Sequence, residues 1–138
     1  MSRKTGISGK TLSAVQRRLE RRALIKMTAV PNLKKLGLEI LAVHLIKFNP
    51  QKPPDDASRE FLVSNHDILA VSRRFEFLKI SVYPDYNECE KDKMQAFRYL
   101  RQHNYIVDAP LVKTFGLSSS VVLKDFDFAP IVKKIMGI

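Results

Sequence analysis

From Leu38 to Phe48 the chain reads Leu-Glu-Ile-Leu-Ala-Val-His-Leu-Ile-Lys-Phe, a run that predicts a strong β-strand. Its middle is apolar on both alternating faces: Ile40, Ala42 and Ile46 point one way, and Leu41, Val43 and Leu45 the other. A strand with helices on one side and water on the other would carry polar residues on its second face. Here that face needs an apolar cover, and too few residues remain for another internal layer, so a second copy of the sheet is the economical one. This reading makes Leu41, Val43 and Leu45 candidate dimer-interface residues.

The rest of the pattern fills in an α+β domain. Asn49 to Pro54 reads as a stiff loop, and Asp55 or Asp56 as the cap of a helix reaching about Asn65. Ile68 to Val71 and Phe75 to Tyr83 read as strands, with Leu78, Ile80 and Val82 on the face opposite Phe77, Lys79 and Ser81. Pro84-Asp85-Tyr86-Asn87 turns the chain into a helix ending near His103, with Tyr86, Cys89, Ala96, Phe97 and Leu100 as its buried stripe. Residues 108–116 read as loop, Ser119 to Phe126 as the fourth strand, and Ile131 to Met136 as a short helix. The order βαββαβ predicts an antiparallel four-stranded sheet carrying two helices on one face, a ferredoxin-like arrangement.

Ahead of this domain the periodicity changes. Gly6 suits a tight turn between helices, Ser8 can cap the next helix, and Leu12, Val15 and Leu19 form one buried stripe of a helix over about residues 9–22. Lys10, Ser13, Arg17 and Arg21 lie on its other side, flanked by Thr11 and Gln16. Ala23-Leu24-Ile25 can close a small core, Lys26 to Val30 suits a short strand, and Pro31-Asn32 breaks it. The domain boundary falls near residue 32, giving regions 1–32 and 33–138.

Charge sharpens the division. The chain has 138 residues and a net charge of +10. Residues 1–30 hold eight Lys or Arg against one Glu, a net +7, while the other 108 hold sixteen basic and thirteen acidic groups, a net +3. A local basic device on a nearly balanced body suits a polyanion, with a phosphate backbone before an anionic lipid surface. Small hydrogen-bonding residues at the start of the basic helix stand where base-reading side chains enter a major groove. On this reading Lys10, Thr11, Ser13, Gln16 and Arg17 face the groove, and Arg3, Lys4, Arg18, Arg21, Arg22 and Lys26 meet phosphates.

Other chemistry is sparse. His44, His66 and His103 are far apart, and no Cys or His has metal-ligand spacing. His44 reads as a hydrogen-bonded interface residue, and Asp85, Glu88, Glu90 and Asp92 as first-turn carboxylates favoured by the helix dipole rather than a metal site. Neither a nucleophile elbow nor a phosphate-binding glycine loop occurs. No enzyme activity, no metal and no cofactor are expected. The single cysteine, Cys89, excludes an internal disulfide and is expected to be buried and inert. No apolar stretch approaches the roughly 20 residues of a membrane span, and the start Met1-Ser2-Arg3-Lys4 lacks a signal-peptide core. A cytoplasmic protein without membrane contact is expected.

Taken together, Ser2-Arg3-Lys4-Thr5-Gly6-Ile7-Ser8, Thr11-Leu12-Ser13, Arg18-Leu19-Glu20 and Leu24-Ile25 resemble the second and third helices of a winged helix-turn-helix. Val30 to Ala42 resembles the joint to the effector-type domain of leucine-responsive/asparagine-type (Lrp/AsnC-like) transcription regulators, and Ile80-Ser81-Val82-Tyr83-Pro84-Asp85-Tyr86 its third strand and turn. The match is firm over residues 2–42 and about 76–100. The resemblance implies a DNA-binding regulator that dimerises by stacking sheets, often in higher assemblies, with Ser8, Lys10, Thr11, Ser13, Gln16 and Arg17 at recognition-helix positions. It departs in two places. Met1 falls within the second helix of the motif, so a shortened winged motif is expected, completed upstream, by a partner chain, or not at all. Ser72-Arg73-Arg74-Phe75 replaces the glycine-rich turn common before the third strand, so no small-molecule effector is assigned. The alternative reading is a dimerising regulatory module that has lost independent DNA binding and acts by co-assembly with full-length relatives.

Overall fold

The computed structural model describes Ala14, Arg17, residues 32–124 and residues 127–137. The chain divides into two compact units, residues 32–121 and residues 1–31 with 122–138.

In the first unit the order is β1 (Ile40–Lys47), α1 (Asp56–Phe61), β2 (Asp67–Arg73), β3 (Glu76–Tyr83), α2 (Tyr86–Gln102) and β4 (Leu111–Gly116). The strands form one antiparallel sheet in the order β2-β3-β1-β4. This is the βαββαβ ferredoxin-like architecture that the periodicity predicts. Each helix starts where an aspartate can satisfy a free amide: Asp55 accepts from the Ser58 N–H at 2.8 Å, and Asp85 from the Glu88 N–H at 2.9 Å. At the far end of α2, Asn104 adopts φ 58°, the Tyr105 N–H reaches the Leu100 carbonyl at 2.9 Å, and the Asn104 N–H reaches that of Arg101 at 3.1 Å. This left-handed cap turns the chain back towards β1, where the Asn49 N–H bonds the Tyr105 carbonyl.

One sheet face carries the helices. Ile46, Phe48 and Phe77 pack with Leu62, Leu100 and Ile106, and Ile40, Ala42 and Tyr83 pack with Cys89. Burial pushes the Cys89 thiol above its ordinary pKa, which keeps it protonated and unreactive.

Two boundaries and one buried position differ from the sequence expectation. Helix α1 stops at Phe61, not near Asn65. The Ser64 N–H bonds the Asp67 carboxylate at 2.8 Å, and Lys79 takes the Leu62 carbonyl at 3.2 Å, so neither group continues a helix. The fourth strand is Leu111–Gly116, which was expected to be loop, and Val121, Val122 and Leu123 are exposed outside any strand. The cause lies at Glu39: its carbonyl takes the Leu117 N–H at 2.6 Å, and its carboxylate takes the Ser118 N–H at 2.8 Å and the Ser118 hydroxyl. A 3₁₀ turn over Leu117–Ser119 follows and ends the strand. Finally, Tyr86 stands exposed at the first helical position, because the Tyr83 ring fills the space beside Cys89.

In the other unit, α3 (Ala129–Met136) has Pro130 in its first turn and ends at Gly137, whose φ of 70° is the left-handed cap. Among the described residues no helix is long and apolar enough to cross a membrane.

Leu100 is fully buried between α2 and the sheet. Leu100→Ala is expected to lower unfolding free energy by about 2–5 kcal/mol, read as a lower urea midpoint at unchanged slope.

Candidate functional site

Two features of the first unit are unusual enough to be functional candidates: a buried ionic cluster under α2 and an apolar sheet face turned away from the helices of its unit.

The cluster centres on Lys79, which β3 aims at the helices. Its ammonium lies 3.2 Å from the Leu62 carbonyl, 3.3 Å from Asp92 Oδ2 and 3.4 Å from Asp67 Oδ1. Those three oxygens match the three N–H bonds of an ammonium. Asp67 also accepts from the Ser81 hydroxyl at 2.5 Å, and Asp92 from the Ser64 hydroxyl at 3.2 Å and from the Tyr83 hydroxyl. With its one proton on Asp92, the Tyr83 oxygen is left to accept from His44 Nε2–H at 3.3 Å. His44 therefore belongs to the helix-facing core, and its expected place at an interface is corrected.

The electrostatics follow from this packing. Burial, helped by the nearby Lys79 charge, pushes His44 down to about 4. Burial and then the Asp92 bond push the Tyr83 phenol up. Burial would raise Asp92, but the Tyr83, Lys79 and Ser64 hydrogen bonds and the Lys79 charge outweigh it and hold it below the usual carboxylate value. Asp92 alone of the buried ions borders a groove, of about 460 Å³, lined also by Phe61, Ser64, Gln95, Arg98 and Tyr99. Among the described residues no buried side-chain nitrogen or oxygen is left without a partner, and the cluster ties α2 to three strands. Among the described residues no three His, Cys, Asp or Glu side chains are arranged to hold a metal.

The second feature is the face turned away from the helices. The register places Leu41, Val43 and Leu45 of β1 beside Val82, Ile80 and Leu78 of β3 and beside Phe115, Lys113 and Leu111 of β4. Leu69 and Val71 of β2 extend it past β3. Lys113 is the only charge in this block. Its periphery is open to solvent: Leu111 is 68% exposed, Val71 54%, Leu69 47% and Phe115 43%. A contiguous apolar patch with an exposed periphery marks a contact surface. At one end a polar row closes it, where Lys47, Glu76 and Arg73 stand side by side across three strands.

Of the residues read as DNA contacts, Arg17 is described, in helical conformation and exposed. Arg3, Lys4, Ser8, Lys10, Thr11, Ser13, Gln16, Arg18, Arg21, Arg22 and Lys26 lie outside the described residues. The ionic cluster was missed by sequence reasoning because its members come from four separate segments. The one available signal was Lys79, a lysine at an inward position of a strand.

No protein-family model and no curated protein matches the sequence. Solved structures match the fold. One, a single-residue Glu-to-Ala mutant protein, superposes with a TM-score of 0.55 at 15% identity, covering 91% of this chain and 84% of its own. A second, described as a transcriptional regulator, has a TM-score of 0.54 at 17% identity, covering 91% and 82%. The leucine response regulatory protein of Mycobacterium tuberculosis aligns at 18% identity over 93% and 81%, with a TM-score of 0.46. The first two share this chain's α+β fold.

Two outcomes test the cluster. Lys79→Ala leaves two buried carboxylates without their cation and is expected to cost about 3–5 kcal/mol in urea unfolding. For His44, the unfolded state takes up its proton near 6.5 and the folded state only near 4, so stability is full above pH 6.5 and falls as pH drops towards 4. The loss is roughly 3 kcal/mol over that interval, and His44→Phe is expected to flatten the pH profile of the unfolding free energy there.

Proposed function

We propose that this chain is a DNA-binding transcription regulator that works as a dimer, its two copies joined through the uncovered sheet faces. The observation that carries the reading is the apolar face itself. A second copy would cover it, and would bring two basic segments, each +7 over residues 1–30, into one assembly. The α+β fold shared with a solved structure described as a transcriptional regulator supports the same reading.

In this arrangement Leu41, Val43 and Leu45 form the apolar centre of a two-fold interface, where each residue meets the matching strand of the other copy. Region 1–32 is the reading head. Lys10, Thr11, Ser13, Gln16 and Arg17 meet base edges, with Ser8 at the helix start, and Arg3, Lys4, Arg18, Arg21, Arg22 and Lys26 neutralise phosphates. Two heads at fixed separation read half-sites about one DNA turn apart. No catalytic step is assigned.

The test is duplex DNA binding by fluorescence anisotropy across a salt series. If half of the six phosphate-facing cations in each copy neutralise a phosphate, six per dimer, the slope of log affinity on log salt is about −5. Arg17→Ala with Arg18→Ala is expected to weaken binding and flatten that slope. Val43→Asp places a charge at the centre of the apolar face and is expected to weaken DNA binding severalfold or more by separating the two heads. Salt-independent binding, or affinity unchanged by these substitutions, contradicts the proposal.

A further inference from the structure

The β2–β3 hairpin carries the Ser72-Arg73-Arg74-Phe75 turn, and the reading above leaves it without a role. Its backbone is held from inside by one residue. Arg59 of α1 donates to the Pro54 carbonyl at 3.0 Å, the Ser72 hydroxyl at 2.7 Å, the Arg74 carbonyl at 2.8 Å and the Arg73 carbonyl. Its guanidinium also lies over the Phe48 ring, 4.8 Å from the centroid. The carbonyl oxygens of the turn, which would repel an anion, are thus engaged by a cation.

What the turn offers outward is positive. Lys47, Arg73, Arg74 and Glu76 line a groove of about 450 Å³ whose remaining walls are Phe48, Pro50 and Phe75. That is three cations against one carboxylate. Arg73 is paired with Glu76, Nε to Oε2 at 2.6 Å. Lys47 and Arg74 make no ion pair among the described residues, and the Arg74 guanidinium rests on the Phe75 ring at 5.1 Å. Both are exposed. A guanidinium fork and an ammonium beside apolar walls match a phosphodiester and its sugar.

We propose that this hairpin end of the sheet is a second phosphate contact, at which Lys47 and Arg74 hold the backbone of the DNA that residues 1–30 engage. The inference rests on the DNA-binding reading. Once one segment of a chain holds a polyanion, further phosphates reach the same chain at high effective concentration, so two weakly binding cations suffice.

The test compares the intact chain with Lys47→Ala/Arg74→Ala and with Arg98→Ala/Arg101→Ala, which removes equal charge from the exposed side of α2. Anisotropy with a 30-base-pair duplex is followed across a potassium chloride series, with thermal melting as the check on folding. The hairpin variant is expected to flatten the salt slope by about 0.9 per lost contact, or about 1.8 per protomer. The α2 variant is expected to keep the parent slope. A separate readout needs no loss of charge at Lys47: Arg74→Cys, labelled with a photo-crosslinker while buried Cys89 stays protected, is expected to capture the DNA strand. Parent-like slopes for the hairpin variant, equal slopes for both variants, or no crosslink while the parent binds DNA overturn this inference alone. A parent chain that binds no DNA overturns it together with the reading it rests on.

Discussion

A four-stranded sheet has two faces, and both faces of this one are apolar. The first is covered from within the chain by Leu100 of α2 and by Leu62 and Ile106, which follow α1 and α2. The second is built on Leu41, Val43, Leu45, Leu78 and Ile80, which are half-buried, and buried Val82; Leu69, Val71, Leu111 and Phe115 beside them are exposed, and α1 and α2 lie on the other face. Exposed apolar area is unfavourable at roughly 25 cal/mol per Å², so this face is a strong drive to association. A like sheet supplies matching shape and chemistry. The proposed pairing of basic segments, and with it the proposed reading of two half-sites, rests on that one surface.

The covered face follows a different logic. Instead of a wholly apolar layer, it holds Lys79 between Asp67 and Asp92, with Tyr83 and His44 attached. Removing charges from water is costly, and a buried ion pair adds little net stability over a well-packed apolar core. Its effect is geometric. Lys79 on β3, Asp67 on β2 and Asp92 on α2 satisfy one another in one register only, and a slip of one residue would strand an ion in the core. The cluster thereby fixes how α2 sits on the sheet.

Much of this was legible in the sequence where periodicity and capping act locally. The alternation of Leu38 to Phe48 identified β1 and both its faces; Asp55 or Asp56 marked the start of α1, because a carboxylate there meets free amides in the next turn, and the turn Pro84 to Asn87 marked that of α2. Long-range pairings were not legible. Val121-Val122-Leu123 has stronger strand character than Leu111-Val112-Lys113-Thr114-Phe115, yet the latter pairs with β1 because Glu39 takes up the Leu117 and Ser118 amides and stops the strand there. The contribution of Ser64, Asp67 and Lys79 to ending α1 is equally non-local. For the candidate site, spacing alone separated Leu41, Val43 and Leu45 from the helix-facing residues. The groove beside Arg74 depends on Arg59 folding under a turn some fifteen residues later.

The most direct test of the central claim is the molar mass of the purified, full-length chain by light scattering at micromolar concentration without DNA. Covering of the open sheet face by a second copy predicts at least twice the 15.8 kDa chain mass, falling to the single-chain value in Val43→Asp with the fold retained. A wild-type chain that runs as a 15.8 kDa monomer with its sheet face open contradicts the account.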